Sequence, residues 1–143
     1  AGRLAPLDLA LERTVQVACR TAIEARLLAS AHDLSEGGLA VALAETCASG
    51  PIPIGADVDL PANSGRPDLA LFGEGPSRIL VSVPAARARH FERLMQECAV
   101  PWRFIGTVGG ARLTLRIDGR VVVGLPVPAV SHAWRSGFER VLA

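Results

Sequence analysis

The stretch from Leu39 to Ala48 carries a single charged residue, Glu45, and is apolar nearly all round. A helix with no polar face has nowhere to meet water, so the pattern from Glu36 to about Ala48 predicts a helix buried deep in the core. Any fold built on it must supply covering elements on several sides. Burial also makes the N-terminus of this helix a fixed platform.

Immediately before the apolar run stands Ala31-His32-Asp33-Leu34-Ser35-Glu36-Gly37-Gly38. The first four backbone N–H groups of a helix lack internal partners, and the helix dipole favours negative charge there. An aspartate, a hydroxyl and paired glycines at that point suit a phosphate or magnesium-phosphate group. In that reading Gly37 and Gly38 keep side chains clear and Ser35 donates its hydroxyl to a phosphate oxygen. Asp33 holds the accompanying metal ion, with Glu36 as an auxiliary ligand. His32 flanks the acid as a ligand contact or proton relay, or as a histidine satisfied by the backbone. The same residues also spell a capping box, with Asp33 as the cap and the Glu36 carboxylate reaching back to it, and that role has the stronger claim on Glu36. Short glycine-containing motifs occur by chance, so the residues alone leave both readings open.

The length of 143 residues fits one domain over 1–143 with a sizeable core. A formal net charge of +1 gives no electrostatic reason to expect nucleic acid or an anionic membrane as partner. Every basic residue is Arg, which excludes a P-loop or Schiff-base lysine. Cys19, Cys47 and Cys98 lack metal or redox spacing and read as reduced, buried apolar residues, and His32, His90 and His132 are equally scattered. No signal peptide or membrane span is evident, so a cytoplasmic protein is expected. The chain lacks an initiator Met and starts within a helix-like pattern at Ala1-Gly2-Arg3-Leu4, as an excised piece of something longer would.

Apolar residues Leu11, Val15, Ala18, Ala22 and Ala25 oppose a polar stripe, predicting an amphipathic helix over 6–29. Residues 52–60 read as an extended segment, with Pro53 arguing for a sheet edge. A loop rich in Pro, Asn, Ser and Gly follows over 61–67, then a helical turn over 68–72 ending at Gly73. A strand is predicted over 78–83, stopped by Pro84 at the first turn of a surface helix over 85–98. Strands over 102–108 and 112–117 flank Gly109-Gly110. Asp118-Gly119 signals a tight hairpin that sets Ile117 opposite Arg120 and Leu115 opposite Val122. Val130, Trp134, Phe138 and Val141 recur at helical spacing, predicting a C-terminal helix from about Pro128 with Trp134 and Phe138 in the core. Together these elements make an α+β fold, helices packed on a mixed β-sheet. No internal repeat or domain-splitting linker interrupts them.

The segment from Ala31 to Glu45 closely resembles the C-terminal region of the phosphoribosylformylglycinamidine synthase family. So, in order, do Leu71-Phe72-Gly73-Glu74, Ser77-Arg78-Ile79-Leu80-Val81-Ser82-Val83, Ile105-Gly106-Thr107-Val108-Gly109-Gly110 and the closing Val130…Ala133-Trp134. The resemblance implies an aminoimidazole ribonucleotide synthase C-terminal-domain-like fold. It also implies a place in the ligase that converts formylglycinamide ribonucleotide to the amidine, with ATP and magnesium and with ammonia from glutamine. Asp33 and Ser35 then lie near nucleotide phosphates and Mg2+. Glu74, Ser77 and Arg78 sit where a loop runs into a strand, as a charged clamp on phosphate or as a local salt bridge. Gly75 departs from the small hydroxyl residue more usual in the family. The implied partners are an upstream ATP-binding domain, which carries the main catalytic residues, and glutaminase and small accessory subunits. Cys47 sits mid-helix in an apolar stretch and reads as core, not as a glutamine-hydrolysing nucleophile. Two alternatives stand beside the synthase. One is a domain of another superfamily member, such as thiamine-monophosphate kinase, selenophosphate synthetase or a hydrogenase maturation factor; the other is a non-catalytic scaffold module.

Overall fold

A computed structural model describes residues 6–61 and 66–142, with backbone only for 138–142. The helix-like start at Ala1–Leu4 and most of the 61–67 loop lie outside the described residues. The elements run α1 (Leu9–Glu24), β1 (Ser30–Asp33), α2 (Gly38–Ala48), β2 (Ala56–Leu60), α3 (Pro67–Phe72), β3 (Ile79–Ser82), a 3-10 turn (Ala85–Arg87), α4 (Ala88–Glu97), β4 (Gly106–Val108), β5 (Arg112–Ile117), β6 (Arg120–Pro126) and α5 (Val127–Leu142). They condense into two compact units, each assembled from two stretches of chain: Ala1–Ser35 with Glu74–Arg103, and Glu36–Gly73 with Phe104–Ala143.

In the first unit, Asp8 caps α1 by accepting the N–H groups of Ala10 and Leu11 at 2.9 and 3.0 Å. The helix is shorter than its periodicity predicts. Arg26 turns left-handed at φ 54° and the Leu27 N–H closes back on the Ala22 carbonyl, which ends the helix and leaves Ala25 exposed. The chain is thereby released into β1, a strand that the sequence pattern did not predict. It pairs antiparallel with β3, Ser30 opposite Ser82 and Asp33 opposite Ile79. Ala18 and Ala22 of α1 pack against Phe91 and Met95 of α4, with Val81 of β3 closing the cluster. The small alanines let the two helices approach closely.

In the second unit, the sheet order is β4-β2-β5-β6, with β2 and β5 parallel and the other pairs antiparallel. Alternation puts Ala56, Val58 and Leu60 of β2, and Leu113, Leu115 and Ile117 of β5, into the core. As expected, α2 is sunk among its neighbours, contacting α3, α5 and β5 and burying Leu39, Ala40, Ala42, Leu43, Cys47 and Ala48. Pro53 does not mark an edge: β2 begins only at Ala56, beyond the proline, and runs between two partners. The hairpin turn forms with Asp118 and Gly119 at φ 48° and 76°, and Ile117 faces Arg120. A bulge then inserts one residue, so Leu115 faces Val123 instead of Val122. Trp134 is not core. It is half exposed and donates its indole N–H to Glu45 at 3.3 Å, while the side chains of Phe138 and Val141 lie outside the described residues.

Candidate functional site

Strand β1 delivers the acidic segment, and its pairing with β3 brings Ser77 and Arg78 alongside. The Leu34 N–H donates to the Arg78 carbonyl at 3.2 Å, one step beyond the last paired residues. Leu34 is buried while Asp33 and Ser35 on either side face water, the Asp33 side chain being 72% exposed. The buried leucine anchors a segment whose polar side chains remain accessible. His32 donates from Nδ1 to the Asp33 carbonyl at 2.6 Å and lies 3.6 Å from the Asp33 carboxylate, the backbone contact that one of its two readings describes. Arg78 is exposed. Ser77 adopts φ 60° and donates its hydroxyl to Glu12 at 2.7 Å, and Gln16 donates to the other Glu12 oxygen at 2.5 Å. The Ser77 bond first, then that from Gln16, holds the Glu12 carboxyl below its ordinary range. Glu12 carried no signal in the sequence, where it reads as one polar position on an amphipathic helix.

The capping box does not form. Helix α2 starts at Gly38, its cap is Gly37 at φ 77°, and no side chain bonds the cap, whereas Asp33 ends a strand. Two consecutive left-handed residues, Gly37 and Gly38 at φ 65°, make a corner that the box geometry cannot contain. Glu36 therefore stands outside the helix and is exposed. The two glycines are required by the fold itself. A Cβ on Gly37 would run into the Val41 side chain, and one on Gly38 would lie 2.9 Å from the Leu71 carbonyl oxygen. The space expected to be cleared for a ligand at Gly38 is filled by the end of α3.

Among the described residues no group of three or more His, Cys, Asp or Glu side chains could hold a metal ion. The exposed Asp33 carboxylate nevertheless fits magnesium, which keeps several waters and takes one or two carboxylates beside phosphate oxygens. Among the described residues no helix is long and apolar enough to cross a membrane. Cys47 is buried in α2, and burial pushes its thiol upward, as expected of a core residue; Cys19 and Cys98 are only half buried.

The chain belongs to the family "AIR synthase related protein, C-terminal domain", which it matches over residues 3–118. Within that family it is similar to phosphoribosylformylglycinamidine synthase subunit PurL. The Anaeromyxobacter dehalogenans (strain 2CP-C) protein is 49% identical over 151 residues, covering 99% of this chain and 19% of the relative. The Synechococcus sp. (strain JA-2-3B'a(2-13)) protein is 55% identical over 144 residues, covering 96% and 18%. The chain thus spans about a fifth of the length of these curated relatives. Its fold is similar to part of phosphoribosylformylglycinamidine synthase II from Thermotoga maritima, with a TM-score of 0.75 at 21% identity over 89% of this chain and 22% of that one. T. maritima PurL complexed with AMPPCP gives 0.73 at 21% identity over 91% and 24%.

Proposed function

We propose that this chain is the C-terminal domain of a cytoplasmic phosphoribosylformylglycinamidine synthase. The reaction is the ATP-dependent conversion of formylglycinamide ribonucleotide to its amidine, with ammonia derived from glutamine. The observation that carries this reading is the pairing of exposed Asp33 and Ser35 around buried Leu34, beside Arg78, in a chain 49% identical to a PurL subunit. ATP phosphorylates the amide oxygen, turning it into a leaving group that ammonia displaces, so positioning of phosphates and screening of their charge govern the rate. Mg2+, when bound with nucleotide, supplies that screening. Asp33 would hold it. Ser35 donates to a phosphate oxygen, and Arg78 and Ser77 line the approach. His32 keeps Asp33 oriented. Structures of T. maritima PurL complexed with ATP and with FGAR support the choice of ligands, and a T. maritima PurLQS structure supports partner subunits. The remaining nucleotide-binding and proton-transfer residues come from the rest of the synthase.

The test is Asp33→Ala in the complete synthase subunit, with calorimetric titration of Mg-ADP set beside a melting curve. Because the Asp33 side chain is largely exposed and caps nothing, affinity falls about tenfold or more while the melting temperature barely moves. Unchanged affinity in a folded variant removes Asp33 from the site.

A further inference from the structure

Glu12 stands apart from the acidic segment in sequence and in element, yet two hydrogen bonds and the Ser77–Arg78 peptide link connect them. Gln16, one turn further along α1, donates to Glu12 Oε1 at 2.5 Å and fixes the carboxylate. Its other oxygen accepts the Ser77 hydroxyl at 2.7 Å, across 65 residues of sequence. Ser77 is held at φ 60°, a conformation that a residue with a Cβ seldom keeps without compensation. That corner sets the direction of the next peptide carbonyl, Arg78, which accepts the Leu34 N–H at 3.2 Å. Leu34 lies between Asp33 and Ser35, so this bond ties the segment that carries both polar side chains to Arg78. Glu12, Ser77, Arg78 and Leu34 all belong to one compact unit.

The structure assigns to Glu12 the role of a positioning residue for Asp33 and Ser35, acting through the Ser77 hydroxyl and the Arg78 carbonyl. The assignment rests on the reading of Asp33 and Ser35 as the phosphate site. Glu12 touches no reacting group in this scheme. Its carboxylate keeps a strained corner in place, and the corner keeps the ligand-binding segment in register with β3.

The first measurement needs no ligand. Amide hydrogen exchange on the chain should show Leu34 exchanging about fivefold to tenfold faster in Glu12→Ala and in Ser77→Ala, with no further increase in the double variant. The amides of Ala18 and Ala22 in the core of α1 should hold their protection, and Glu12→Gln, which retains an acceptor oxygen, should restore much of the Leu34 protection. Unaltered Leu34 exchange in Glu12→Ala overturns the assignment, as does an equal loss at Ala22, which reports general destabilisation. The second measurement is Mg-ADP titration of the complete synthase subunit, where Glu12→Ala should weaken binding by about threefold or more. If the unaltered subunit binds no Mg-ADP while Leu34 still responds to Glu12, the phosphate-site reading falls and the coupling between Glu12 and Leu34 stands.

Discussion

Gly38 packs directly on the backbone of Phe72, where an added Cβ would stand 2.8 Å from the Phe72 carbonyl carbon. The contact joins the first residue of α2 to the last of α3, and the crowded atoms are main chain, so no side-chain rotation can relieve it.

Gly38→Ala meets this backbone and a left-handed φ of 65° at once. A loss of about 2–4 kcal/mol is expected, larger than for a glycine at an open turn, because overpacking adds to dihedral strain. Urea denaturation should show a lowered midpoint with an unchanged slope.

Leu115 and Trp134 are both large and apolar, yet they should respond differently to truncation. Leu115 is 1% exposed in the centre of the four-stranded sheet, so Leu115→Ala should cost about 2–5 kcal/mol through cavity formation. Trp134→Phe removes one hydrogen bond from a half-exposed residue, and about 1 kcal/mol or less is expected. Thermal melts of the two variants, compared with the parent, check the contrast.

Stability should decline at both ends of the pH scale for identifiable reasons. Glu12 has its pKa lowered in the folded chain, chiefly by the Ser77 hydroxyl, so its contribution is present above the ordinary carboxylate value and lost as pH falls through the lowered one. Cys47 has its pKa raised by burial, so the folded state keeps the neutral thiol. Its contribution is complete below the ordinary thiol value and lost as pH rises toward the raised one. Denaturation midpoints against pH should lose part of the acid limb in Glu12→Ala and part of the alkaline limb in Cys47→Ala. Alkylation of Cys47 should follow the rate of unfolding.

Elements whose signals are local were readable from the sequence. The absence of charge in Leu39–Ala48 foretold the burial of α2, and Asp118-Gly119 foretold a turn with two positive φ values. What escaped depends on partners remote in the chain. Strand β1 has no apolar alternation of its own and exists because β3 pairs with it. The acidic segment was legible as chemistry, but its capping-box spelling was overruled by the left-handed pair Gly37 and Gly38. Glu12 was invisible because its bond to Ser77 spans 65 residues. Trp134 follows the helical stripe of α5 yet is half exposed, and one bulged residue moved the partner of Leu115 by a single step.

The interleaving of the two compact units limits how the chain can be divided. The backbone passes from one unit to the other after Ser35, after Gly73 and again after Arg103, so a chain stopped at Gly73 carries half of each and completes neither. Trimming from either end therefore damages a unit before it isolates one. Dissecting the two calls for circular permutation or for co-expression of complementary pieces.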